Sequence, residues 1–223
     1  MSALPAVVLT LQLAAITTVI LIVIGLPLAW WLAMTRARIR PAIEAITTLP
    51  LVLPPTVLGF YLLILMRPDA PLGGLWLRLT GETLTFSFTG LVIASCLYSL
   101  PFAVQPMQTA FAAVGRPAMA AAETLGATRL DAFRSIALPA ARRGVLTAAV
   151  LSFAHTMGEF GVILMVGGNI PGETRVIAIE IFTAVETLDY RTAHILSAGL
   201  LAFSFLVLLA VYILNGRGAR TLG

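Results

Sequence analysis

The chain has 223 residues, 59% of them hydrophobic and 11% charged, with a mean hydropathy of +0.99 and a net charge of +4. Soluble globular domains are about 45–50% apolar and about 25% charged, so this composition excludes a soluble enzyme, a disordered chain and a disulfide scaffold. The lone Cys96 has no partner for an internal disulfide. What remains is an all-α polytopic membrane protein, because a segment in lipid must satisfy its own backbone hydrogen bonds. All fourteen basic residues are Arg. Without Lys the chain has neither a P-loop nor a Schiff-base nucleophile, so any ATP it uses must be hydrolysed by another subunit.

A hydrocarbon core of roughly 30 Å takes about 20 helical residues. The first charge is Arg36, so a span is expected over 6–34. It lacks the basic n-region of a signal peptide. Arg36, Arg38, Arg40 and Pro41 close it. A second span over 45–66 is interrupted by Pro50, Pro54 and Pro55, and a loop follows over 67–82. The third, 88–108, is expected to kink at Pro101 and Pro106. Residues 116–143 form a solvated, Arg-rich loop with helical periodicity. The fourth span is placed at 144–166, with His155 and Glu159 inside it, and the fifth at 192–215. The apolar stretch 176–188 is short and carries two acids, which disfavours a sixth span. The whole chain, 1–223, reads as one transmembrane domain.

With five spans, the 36–40 loop, the 116–143 loop and the C-terminal tail with its Arg217 and Arg220 share one side and together hold ten of the fourteen Arg. The positive-inside rule makes that side cytoplasmic and places the N-terminus outside.

The Arg-rich loop reads Ala120-Ala121-Ala122-Glu123-Thr124-Leu125-Gly126, then nine residues, then Ile136-Ala137-Leu138-Pro139. The expected structure is a short helix, a break at Gly126, a second amphipathic turn and a stop at Pro139. Leu130, Phe133 and Ile136 make an apolar knob at helical spacing, framed by Arg129, Asp131 and Arg134. Periodicity alone is equally consistent with a docking element, a helix on the lipid surface or a plain linker.

This loop resembles the EAA loop of ABC-importer permeases. Ala121, Ala122, Gly126, Ile136, Leu138 and Pro139 match at the family spacing; the family glutamate falls on Ala120, and Glu123 lies three residues on. The resemblance implies a type I importer permease (MetI-like) fold and a coupling helix seated in a cytoplasmic ATPase subunit. It marks Ala120, Ala121, Ala122, Glu123, Gly126, Ala127, Arg129, Leu130, Phe133, Ile136, Leu138 and Pro139 as coupling residues. Leu49-Pro50-Leu51-Val52-Leu53-Pro54-Pro55-Thr56-Val57, Leu100-Pro101-Phe102-Ala103-Val104-Gln105-Pro106 and Gly158-Glu159-Phe160-Gly161 are similar to motifs of molybdate permeases. So is Gly168-Asn169-Ile170-Pro171-Gly172-Glu173-Thr174-Arg175. Sulfate permeases share part of these, and tungstate is the related cargo.

The resemblance implies a homodimer, two cytoplasmic ATPase subunits that bind ATP and Mg, an external binding protein and inward transport of molybdate across the bacterial inner membrane. No cofactor, metal or nucleic acid is expected on this chain. A dianion entering a negative cytoplasm costs roughly 5 kcal/mol per 100 mV, which a passive anion channel cannot supply. Intramembrane enzyme activity lacks a motif.

Pro54, Pro55, Thr56, Ser99 and Gln105 are candidates for lining the pathway, with interhelical hydrogen bonding as the alternative. Asn169, Glu173, Thr174 and Arg175 are candidates for binding-protein docking. Gly144, Ala148 and Ser152 form a small-residue face, for packing within the chain or between two copies. Glu159 is expected to be structural, paired with an Arg or capping backbone. The short tail after the last span places any feedback control on the ATPase subunit.

Overall fold

The computed structural model describes residues 3–216, with side chains to 213, and these residues contain helices and no strand. Arg217 and Arg220, on which part of the orientation argument rests, lie outside the described residues.

Helix α1 (Leu4–Met34) starts with Pro5 in its first turn and runs through Pro27. At about 1.5 Å per residue it is longer than the hydrocarbon core is thick. The expected second span is two helices. These are α2 (Arg40–Thr48), extended by a 3₁₀ turn at Leu49–Leu51, and α3 (Pro55–Met66). They meet at 109°. Pro54 and Pro55 cause the break: neither donates a backbone hydrogen bond, and Pro54 leaves helical geometry at ψ 135. Helix α4 (Pro71–Thr80) then folds back on the end of α3, and Gly73 makes this possible. A Cβ there would stand 2.1 Å from the Arg67 carbonyl oxygen.

Helix α5 (Phe88–Thr124) begins where expected, with the Ser87 hydroxyl accepting from Gly90 N–H at 3.1 Å. Its backbone angles stay helical through Pro101 and Pro106; its one non-helical residue is Gly115, at φ 75 and ψ 161, where two helical stretches join at a kink. The span is therefore longer than 88–108.

The Arg-rich loop is also more helical than expected. Helix α6 (Arg129–Ala132), a π-helical turn (Phe133–Ala137) and α7 (Leu138–Met157) run on as one rod. Pro139 does not stop it. In the π turn the Leu138 N–H reaches back five residues to Phe133 O, and this wider turn accommodates the proline ring in the next turn.

The fourth span in turn ends at Met157, short of the expected 166. After Gly158–Phe160 the chain restarts as the short α8 (Gly161–Gly167). Helix α9 (Ile177–Glu186) has only ten residues, too few to cross. Helix α10 (Tyr190–Gly216) is the last and the least buried.

Among the described residues, four helices are long and apolar enough to cross a membrane, and the bent α2–α3 pair makes a fifth if it crosses as one span. Helices α1, α5 and α7 form the central bundle, around a core that includes Leu21, Leu32, Met107 and Phe111. Helices α3 and α8 pack together beside it, and α9 and α10 pack on each other. Polar groups tie distant elements. The Thr10 hydroxyl accepts from Ile177 N–H at 2.8 Å, so α1 caps the start of α9.

Gly144 lets α5 and α7 touch: a Cβ there would sit 2.3 Å from Ala110 Cβ and 2.9 Å from Pro106 O. The small-residue face at Gly144, Ala148 and Ser152 is thus used inside the chain. Overpacking a closed contact costs about 1–3 kcal/mol. Gly144→Leu is therefore expected to lower the thermal unfolding midpoint of the purified protein in detergent. Gly199→Leu, where a Cβ meets nothing within 4 Å, is expected to leave it unchanged or raise it.

Candidate functional site

The segment 116–139 is a helix–turn–helix built by two local devices. The first ends its leading helix. Ala127 N–H donates to Ala122 O at 3.1 Å and Gly126 N–H to Glu123 O at 3.0 Å, with Gly126 at φ 87. This is the Schellman pattern, in which the left-handed position favours Gly. The second device starts α6. Thr128 and Asp131 form a reciprocal capping box. The motif spacing read from the sequence is therefore the spacing of a helix stop followed by a helix start.

This turn is held firmly against the bundle. Trp30 on α1 meets Phe111 on α5 at 5.3 Å between ring centroids and Phe133 at 5.1 Å. Phe111 and Phe133 are 5.9 Å apart, so three rings from three elements form one cluster. Arg116 donates to the Met34 and Thr35 carbonyl oxygens at 3.1 and 3.2 Å. Those carbonyls end α1, where orphan acceptors and the negative end of the helix dipole both favour a cation. Glu44 on α2 accepts from Gln108 at 2.6 Å and from Arg40 at 2.9 Å, tying α2 to α5 on the same side.

The expected knob divides. Phe133 and Ile136 turn inward and pack on the bundle core, together with the buried Ala122, Ala132 and Ala137. Ala127 and Leu138 are half-buried. Facing out are Ala120, Ala121, Glu123, Gly126, Arg129 and Pro139. Leu125 and Leu130, at 89% and 55% exposure, are the large apolar groups on this surface. The Arg129–Glu123 pair at 3.6 Å bridges the turn. Exposed as it is, it contributes at most about 1 kcal/mol. The outward surface is thus two leucines and small alanines among charges, on a rigid backing. Sequence reasoning missed that backing (Trp30, Phe111, Arg116); its only signals were a Trp at the end of a span and the first Arg of the loop.

The candidate pathway residues do not all gather. Pro54 and Thr56 lie exposed at the α2–α3 break. Pro55 packs on Gly161, where a Cβ would come within 2.8 Å of its ring. Gln105 opens on a groove of about 430 Å³ with Glu44, Thr48, Gln108 and Thr109. Ser99 is fully buried and lies 2.9 Å from His155 Nδ1 and 3.1 Å from the Thr156 hydroxyl, which makes it an interhelical tie.

The loop 169–175 is likewise bound up internally. The Thr174 hydroxyl is buried, donates to Gly167 O at 2.7 Å and accepts from Ile170 N–H at 3.1 Å, which removes it from docking. Arg175 donates to Asn169 and pairs with Glu180 at 3.5 Å. Asn169 donates to Thr183 at 3.1 Å. Of the four, Glu173 alone is exposed with no side-chain partner among the described residues. Glu159 is 4% exposed and neither carboxyl oxygen has a hydrogen-bond partner among the described residues, so the expected pairing or capping is not made.

A multi-helix membrane bundle with a helix–turn–helix on its Arg-rich face is the architecture of a transport permease. Residues 25–220 match the model of the family described as binding-protein-dependent transport system inner membrane component. The chain belongs to that family. It is 57% identical over 204 residues to the molybdenum transport system permease protein ModB of Azotobacter vinelandii, covering 92% of this chain and 90% of that one. It is 33% identical over 215 residues to the sulfate transport system permease protein CysT of Salmonella typhimurium, covering 96% and 77%. Its fold is similar to a chain in a crystal structure of a bacterial alginate ABC transporter in complex with an alginate-bound periplasmic protein. There the TM-score is 0.74 at 17% identity, over 96% of this chain and 78% of that one. The chain is a multi-pass membrane transport subunit of an ABC system.

Two substitutions test the local reading. A β-branched residue at the left-handed position costs about 1–2 kcal/mol. Gly126→Val is therefore expected to be less stable in thermal unfolding than Gly126→Asn, which tolerates that conformation. Phe133→Ala removes the ring that joins three elements. It is expected to cost about 3 kcal/mol in the same measurement, more than Leu130→Ala on the exposed face.

Proposed function

We propose that the chain is the permease of an ATP-driven importer of molybdate, working as a homodimer with two cytoplasmic ATPase subunits and an external binding protein. The observation that carries this reading is the outward face at Leu125 and Leu130, bounded by Glu123, Arg129, Asp131 and Arg134 and braced by the Trp30–Phe111–Phe133 cluster. A braced, exposed surface of this kind suits a partner that pushes on it. ATP and Mg belong to that partner, because this chain has no Lys for a P-loop. The Arg-rich face is cytoplasmic by the positive-inside rule, which puts the N-terminus outside. The cargo follows from the 57% identical molybdenum permease; the sulfate permease at 33% is the related alternative. The groove at Gln105 and the exposed Pro54 and Thr56 are the surfaces that a second copy would close into a path.

Leu130→Glu tests the docking role. In proteoliposomes with the ATPase subunits and binding protein, it is expected to abolish ATP-dependent molybdate uptake while the permease still folds in the membrane. Normal uptake would refute docking through this face, and uptake of sulfate in preference to molybdate would move the cargo to the alternative.

A further inference from the structure

Glu159 sits in the break between α7 and α8, and it is buried with both carboxyl oxygens unpartnered among the described residues. No ion pair among those residues includes it. An unpaired carboxylate inside a membrane bundle is costly, so a positive charge has to meet it. We propose that this break is a binding site for a Na⁺ ion, held by the Glu159 carboxylate, the Ser95 hydroxyl and the carbonyl oxygens that end α7.

The neighbouring helices supply donors and no cation. Ser95 on α5 is fully buried and faces the carboxyl without completing a hydrogen bond to it. Buried polar groups are rarely left so, and an ion between the two would satisfy both. Cys96 and Tyr98, also on α5, lie close enough to feel the Glu159 charge. The fully buried Thr17 hydroxyl of α1 reaches only the Cys96 thiol. His155, one turn earlier on α7, is engaged elsewhere: its Nδ1 lies 2.9 Å from the Ser99 hydroxyl and its ring stacks on Phe102 at 4.0 Å between centroids.

The backbone adds to the site. Helix α7 ends at Met157, where Gly158 N–H turns back to His155 O at 3.1 Å and Glu159 N–H to Thr156 O at 3.3 Å. Glu159 therefore stands at the C-terminal end of α7, where orphan carbonyls and the negative end of the helix dipole favour a cation. Interrupted membrane helices coordinate Na⁺ through such ends. The donors also select the ion. They are carboxylate, hydroxyl and carbonyl oxygens, and no three His, Cys, Asp or Glu side chains converge among the described residues, so the set does not suit a transition metal. One carboxylate balances one positive charge, which in a low dielectric favours a monovalent ion over Ca²⁺ or Mg²⁺. The same carboxylate excludes an oxyanion as occupant.

The test needs neither ATPase nor binding protein. The full chain, purified in detergent, is unfolded thermally with tryptophan fluorescence as the readout, while NaCl replaces choline chloride at constant ionic strength. The midpoint is expected to rise saturably with Na⁺, by about 5–10 °C at a hundredfold excess over the half-saturating concentration. KCl produces a smaller rise. Glu159→Gln abolishes the Na⁺ response, and radioactive Na⁺, bound once per chain by the wild type, is not retained by this variant. Ser95→Ala keeps the fold and raises the half-saturating Na⁺ concentration at least about fivefold, and it carries the test if Glu159→Gln fails to fold. A purely structural Glu159 would shift the midpoint on substitution without altering its dependence on Na⁺. A wild-type midpoint that is the same in NaCl and choline chloride, or a Na⁺ response that both variants keep, overturns the proposal. Either result leaves the importer reading intact.

Discussion

The structure depends on one junction: three aromatic rings, from α1, α5 and the start of the long α6–α7 rod, packed at the Arg-rich end of the bundle. Without it the turn at Gly126 would be a loose connection between two long helices. With it, a force on Leu125 or Leu130 is delivered to three elements at once. Arg116 adds a polar clamp by taking the terminal carbonyls of α1. Aromatic pairs contribute about 0.5–1.5 kcal/mol beyond their burial. The junction thus supplies specificity of geometry more than bulk stability, and geometry is what a mechanical coupling needs.

The fold was legible where its cause is local. Charge-free runs located α1, α5 and α10, because desolvating a charge in lipid is costly whatever surrounds it. The short, acid-bearing stretch 176–188 disfavoured a further span, and α9 there has only ten residues. It was illegible where two outcomes share one sequence signal. Proline breaks a helix at Pro54–Pro55, stays inside a continuous helix at Pro101 and Pro106, and is absorbed by a π turn at Pro139. Which outcome wins is decided by how neighbouring helices re-satisfy the freed carbonyls, and that is tertiary information.

The site shows the same division. The break at Gly126 in the segment 116–139 follows from the sequence, and the structure gives it a reason, a Schellman stop; the capping box of Thr128 and Asp131 that starts the next helix was not read from the sequence. Helical spacing also grouped Leu130, Phe133 and Ile136 as one knob, but period alone does not say which way a face points. Phe133 and Ile136 face the bundle because Ala132 and Ala137 let the rod sit close to it. In the loop 169–175, polarity was read as availability. The polar groups of Asn169, Thr174 and Arg175 instead satisfy the loop itself, as buried backbone must be satisfied somewhere.

The account's central claim is that the outward face of this segment touches a nucleotide-hydrolysing partner. Disulfide or short bifunctional cross-linking from a single cysteine at Leu130, in a Cys96→Ser background, measures that contact directly. The account predicts a cross-link from Leu130→Cys to the ATPase subunit whose yield changes between the nucleotide-free and ATP-bound complex. A position 130 that never cross-links to that subunit, and is instead quenched by spin-labelled lipid headgroups, would contradict it.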